Sequence, residues 1–360
     1  MESAQGCQWA HFSTIRSGLT GLTNGGEAMC VRMRVRLQVL LLAALAVLLV
    51  LPASPADAGT KVIRLGDTGT ETNPEYLAHQ FFAKRVAELT NGQVEVRIFM
   101  NAQLGGHTQM NEQIASGALE VSKTAAAFMS TYDKRLSIWS LPYSFTSLEK
   151  FFAAQDGKLG QAYGALTEKY GFKLLGIYHA GTRDFYNKKG PIRTPEDLKT
   201  MGIRLRSMPD PVMIDTFNTL GAQATPLEAN EVYNAIQQGV IDGAENSITW
   251  YLTMKHFEVA PYFSLTHHFY SVDPLFVSLK WFNQQTPDIQ KALLQAGKET
   301  IPFERKAWAD DELKNYEKAK ALGIKINDAD INAFQKAAKP VLEKYGPSLG
   351  ELYPILKEYQ

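Results

Sequence analysis

Cysteine is almost absent from this chain: of 360 residues only Cys7 and Cys30 are cysteines, and both lie near the start. From Gly59 onward there is no thiol, which excludes a disulfide framework, a zinc site built on sulfur and a cysteine to take a lipid anchor. A dominant charge is lacking too, because 37 Lys and Arg balance 37 Asp and Glu. With no basic domain, basic tail or aromatic-basic interleaving, nucleic acid is not an expected partner. Catalytic signatures are also missing: there is no G-x-S-x-G elbow, H-E-x-x-H pair, Walker loop or strand-linked G-x-G-x-x-G. His267-His268 is the only histidine pair, and adjacent strand residues point to opposite faces, so one buried and one exposed histidine are expected rather than a metal site. No metal or cofactor is expected.

What is present begins with a targeting signal. From Met33 the chain reads "MRVRLQVLLLAALAVLLVLPASPADAG", where Arg34 and Arg36 precede an apolar run and "ADA", ending at Ala58, offers a small-x-small cleavage site. The run at 39–51 is shorter than the roughly 20 residues that span a bilayer. Residues 33–58 are therefore expected to be a cleaved signal peptide, and residues 1–32, upstream of a complete signal, an over-called start. Without a lipid-anchor cysteine, the product is expected to be a free protein of a periplasm. Its 45% hydrophobic content is that of a water-soluble globular chain, long enough for two lobes.

Beyond the signal, apolar runs alternate with helix-length segments. Residues 61–67, 93–100, 172–180, 202–208 and 274–280 are predicted strands, and 74–90 is a predicted amphipathic helix ended by Asn91-Gly92. In "TPEDLK" (194–199) Thr194 can cap, Pro195 suits the first turn, and Glu196 and Asp197 favour the positive end of the helix dipole. The stretch 286–323 is helical, with a kink or break expected at Pro302. This pattern is α/β.

Arginine is the most informative residue type, since its planar, permanently charged fork matches a carboxylate through two hydrogen bonds. Arg183 follows an apolar strand and a glycine turn. Arg204 and Arg206 lie in "MGIRLRSMPDP". Taken singly, Arg183 or Arg204 reads first as a surface or structural ion pair.

The run "GTRDFYNKKGPIRTPEDLKTMGIRLRSMPDPVM…FNTLGAQATPLEANEVYNAIQQGVIDGAENS" resembles the solute-binding proteins of tripartite ATP-independent periplasmic (TRAP) transporters, the DctP-like family. Its pattern there is G-x-R, a T-P-x-D-L-K-G-x-K-I-R-V strand and G-A-x-P-T-P-x-x-x-x-E-V-Y-x-A-L-Q-x-G-x-V-D-G-x-E-N. "NAQLGG" (101–106) and "SGALEV" (116–121) resemble further family segments, so the likeness covers 61–360. It implies a two-lobed α/β periplasmic binding protein with hinge strands and a long helix crossing both lobes: 59–180 with 270–308 as one lobe, 181–269 with 309–360 as the other. It implies that Arg204, matched to I-R-V, binds a solute carboxylate, with Arg183 and Asn246 as further contacts. Arg206 is expected to be partly exposed.

Departures from the family pattern bear on the solute. Ala229 stands where the family often has an aromatic residue, and Ala125 near a glutamate of sialic-acid-binding members. Both leave room in a pocket. Asp273 would repel a second acid group and accept from hydroxyl or ammonium groups, Trp250 is either a stacking surface or core, and Ser207 completes the expected set. A hydroxylated or sugar-acid monocarboxylate is favoured over a four-carbon dicarboxylate. The implied partners are this organic acid and the small and large integral-membrane subunits of a TRAP transporter. A sensory receptor of the same fold is the alternative.

Overall fold

The alternating segments resolve into nine strands: β1 (Lys61–Gly66), β2 (Val94–Phe99), β3 (Val121–Lys123), β4 (Phe172–Asn187), β5 (Arg204–Ser207), β6 (Gln223–Pro226), β7 (Gly243–Asn246), β8 (Tyr262–Ser278) and β9 (Lys325–Asp328). The helices that matter for the site are α1 (Pro74–Leu89), α2 (His107–Ser116), α3 (Pro195–Thr200), α4 (Pro211–Thr219), α5 (Ile248–Thr253) and α6 (Pro287–Ala321). These come from a computed structural model that describes residues 60–360 and, ahead of them, Met33 alone; the expected signal segment and cleavage point otherwise lie outside the described residues. Among the described residues no helix is long and apolar enough to cross a membrane.

All nine strands join one sheet in the order β2-β1-β3-β8-β4-β7-β5-β6, with β9 attached to β8. The two long strands each serve two sets of neighbours. Leu275–Val277 of β8 pair with β3, beyond which β1 and β2 run parallel, whereas Asp184–Asn187 of β4 pair with β7, beyond which β5 and β6 run parallel. Between these zones the β4–β8 register slips at His179/Thr182 and again at Arg183/Phe185. Two strand groups are thus connected by two continuous strands, the arrangement of a two-lobed, hinged α/β protein. Each group has its own core, Ile63, Leu65, Phe82 and Val121 on one side and Ile203, Leu205 and Phe217 on the other.

β4 and β8 are longer than the predicted 172–180 and 274–280, because the segment around Gly181 reads as a turn but is a bulge within a continuing strand. Gly181 has φ +84°, and a methyl group there would stand 2.5 Å from the Ser247 Cβ and 2.8 Å from the Trp308 Nε1. Of the two outcomes expected at Pro302, a kink or a break, the break does not occur: α6 continues through it. The ring removes one backbone donor, but the helix is fastened on both sides: Arg85 of α1 donates to Glu299 at 2.6 Å, and Asn315 donates to Thr249 of α5 at 3.0 Å. α6 therefore spans both strand groups.

The edges of the sheet reveal how the two groups face one another. In a flat sheet β2 and β6 would stand roughly 34 Å apart at about 4.8 Å per strand. Yet Glu228, just past β6, bonds to α2, which follows β2, and Trp250 of α5 bonds to Glu75 of α1. The sheet bends at its hinge strands and the lobes close on each other.

Candidate functional site between the lobes

The carboxyl ends of the parallel strands converge on the closed cleft, the usual position for ligands in open α/β sheets. Asp67 follows β1, Lys123 ends β3, Arg206 and Ser207 end β5, and Asn246 ends β7. In the same region a small cavity is lined by Ala125, Trp139, Arg183, Met208, Phe269 and Ser271 with their neighbours.

Arg204 does not reach this cleft, contrary to the sequence expectation. It opens β5, at the far end from the cleft, and its side chain is 39% exposed; Nε and Nη2 donate to Asp242 at 3.0 and 2.8 Å. Asp242, held below the usual carboxylate range against its own burial by Arg204 and Lys189, takes both donors on that side of the fork. Arg206, expected to be partly exposed, is only 3% exposed. Its Nε donates to the Leu227 carbonyl at 2.8 Å, its Nη2 is buried without a partner, and no carboxylate among the described residues forms a salt bridge with it. The motif can be laid on "GIRLRS" in two registers two residues apart. The arginine nearer the strand's carboxyl end is the one that enters the cleft.

Arg183 lies in the cavity wall, 5% exposed, but its fork is engaged by Glu245: Nε pairs with Oε2, and Nη2 donates to Oε1 at 2.8 Å. Nη1 donates to the Ser271 hydroxyl at 3.2 Å. Burial alone would raise the Glu245 carboxyl, but Arg183 and His268 hold it down to about 2. Burial and the neighbouring Arg183 pull Arg206 below its ordinary value, with Glu245 opposing. A guanidinium nevertheless stays protonated, so the Arg183–Glu245–Arg206 group retains one positive charge.

Asn246 is half-buried, directly opposite Asp184 in the β4–β7 ladder, and its Oδ1 accepts from the Ser247 N–H at 2.9 Å. Ser207 is fully buried with its hydroxyl unpartnered. Ala229 is half-buried in a single turn after β6 and is not part of the cavity wall, whereas Ala125 is. His268 is buried against Phe185 and His267 is partly exposed beside Asp184, the split expected of that pair.

Beside the arginines lies a second polar group that sequence reasoning located only in part. The Lys123 ammonium, fully buried, donates to Asp273 at 2.9 Å and lies 3.2 Å from Asp67 and 3.6 Å from Glu75. His79 meets Asp67 at 2.8 Å. Trp250 covers the group: its Nε1 donates to Glu75 at 3.0 Å and Lys123 sits 4.9 Å from its ring centroid. Asp273 is thus an ion-pair partner, linked through Ser271 (3.4 Å) to Arg183. Burial raises Glu75 to about 8 although Lys123 opposes it, so this acid is neutral near pH 7. His107, between Thr68 and Thr124, is lowered to about 3 by burial and Lys123, with smaller effects from Arg206 and Arg183. The available signal for Asp67 and Lys123 was position, since charged residues closing parallel strands face a crevice.

Comparison with known proteins is consistent with this geometry. A solute-binding protein of Chromohalobacter salexigens is 32% identical over 289 residues, 80% of this chain and 85% of that protein. A TRAP periplasmic solute-binding protein of Sulfitobacter sp. NAS-14.1, solved with bound β-D-galacturonate, is 33% identical with a TM-score of 0.79, covering 83% of this chain and all of that one. One from Roseobacter denitrificans, solved with β-D-glucuronate, is 30% identical with a TM-score of 0.79, covering 82% and 99%. The pattern of the DctP family, bacterial extracellular solute-binding protein, family 7, matches residues 65–347, and this chain belongs to that family.

Proposed function

We propose that the protein is a periplasmic receptor that captures a hexuronate-type sugar acid between its lobes and delivers it to the small and large membrane subunits of a TRAP transporter. Cleavage near Ala58 releases it, and the lobes are 59–180 with 270–308 and 181–269 with 309–360. The observation that carries this reading is Arg206, a buried guanidinium with a free Nη2. An unpaired buried charge is costly, so the site is completed by an anion of the solute.

In this reading the carboxylate docks on Arg206, with Arg183 and Asn246 beside it, and the ring hydroxyls meet the Asp273–Lys123–Glu75 group under Trp250. A second carboxylate would face Asp67 and Asp273, which disfavours a dicarboxylate. The protein contributes capture and closure, not bond-making: hinge motion excludes water and the closed form docks on the transporter.

Titration calorimetry of the mature protein tests this with D-galacturonate, D-glucuronate and succinate. Hydrogen bonds to a charged group are worth about 1.5–3 kcal/mol each, so Arg206→Ala should weaken uronate binding by more than tenfold while Arg204→Ala leaves it nearly unchanged. Preference for succinate, or the reverse ranking of the two variants, would overturn the assignment.

A further inference from the structure

Glu228 lies two residues beyond β6 and reaches α2, 120 residues earlier in the chain. Its carboxylate accepts from the backbone N–H groups of His107 and Thr108, each at 3.1 Å, and from the Thr108 hydroxyl at 2.6 Å. α2 begins after Gly106, which has no side chain to cap it, so a residue from the opposite lobe satisfies its first free donors. The fit is close: a methyl group on Gly106 would stand 3.0 Å from the Glu228 carboxylate.

The same short segment touches the anchor. The Leu227 carbonyl accepts from Arg206 Nε, and the Leu227 N–H donates to the Ser207 carbonyl at 3.2 Å. On the other side, His107 stands at the start of α2 with its ring between Thr68 and Thr124. One continuous path therefore runs from the free guanidinium through Leu227 and Glu228 to the wall of the facing lobe, without passing through the solute position.

We propose that Glu228 is a positioning residue for solute capture, a latch whose contact with the first turn of α2 exists only when the lobes are closed and which fixes Leu227, and with it Arg206, around the bound acid. This rests on the receptor reading above. Because the contact is made after closure, its loss falls on release: a ligand already seated leaves faster, while encounter with the open form proceeds as before.

Stopped-flow release of D-galacturonate, together with spin-label distances between cysteines introduced at Glu112 and Gln238, tests the latch in Glu228→Ala and in Thr108→Val. The second variant removes one latch bond without altering the charge near Arg206, which separates latching from simple charge compensation. Dissociation should accelerate at least fivefold in Glu228→Ala and less in Thr108→Val, with a smaller closed fraction in both and an unchanged melting temperature of the ligand-free protein. Unchanged release and closed fraction in both variants would overturn the latch, as would an equal loss of ligand-free stability. Failure of the wild type to bind any sugar acid would instead overturn the receptor reading; the closed fraction of the ligand-free variants then decides the latch, and no change relative to wild type counts against it.

Discussion

Glu75 is a carboxyl with no solvent exposure, one oxygen accepting from Trp250 and the other, Oε2, unpartnered. Its burial raises it to about 8, so folding favours the neutral form; that stability is complete below the ordinary carboxyl range and is lost as pH rises through about 8. Neutral Glu75 can donate from Oε2 to a solute hydroxyl, and ionised Glu75 would add negative charge beside a bound anion. Affinity for D-galacturonate should be level around neutrality and fall several-fold as pH passes about 8, whereas Glu75→Gln should give a flat profile; calorimetry at constant ionic strength reads the difference. At this scale the sequence identified the chemistry better than the atoms. Arg183 and Asp273 were singled out and lie at the site, but each already has a protein partner, and the motif match chose Arg204 where position along β5 brings Arg206 to the cleft. Glu75 and Glu228 carry no local pattern, because their contacts with Trp250 and with the first turn of α2 arise from lobe-to-lobe packing, and His79 meets Asp67 only once α1 packs on β1.

Elements were most legible where capping chemistry is local. Thr194 and Pro195 start α3 as read, and Asp197 accepts from the Thr194 and Arg193 N–H groups at 2.8 Å each. The hinge strands were legible only in part, since glycine punctuation cannot distinguish a turn from a bulge until the partner strand is known. Gly181 marks that bulge and combines a left-handed φ with contacts that leave no room for a methyl group. Gly181→Ala should therefore destabilise the protein by about 1–3 kcal/mol and lower ligand affinity by disturbing the neighbouring Arg183. Urea unfolding of the ligand-free protein would show the first effect as a lower midpoint, and an unchanged midpoint would mean that the bulge relaxes around the added carbon.

At the scale of the whole molecule, the two-lobed architecture followed from the family likeness, whereas its physical basis is the pairing of β4 and β8 with two separate strand groups. Closure brings Trp250, carried on α5 after β7, over Lys123 and Glu75, which belong to the β1–β3 side. The ring is 5% exposed in this closed arrangement, and parting the lobes would return it to water. Trp281, by contrast, packs against the core of the β1–β3 side and keeps its surroundings in either state. Adding D-galacturonate should therefore shift tryptophan emission to the blue, and the shift should vanish in Trp250→Phe but persist in Trp281→Phe. If the shift survives in Trp250→Phe, solute binding does not proceed by closing this indole over the Lys123 group.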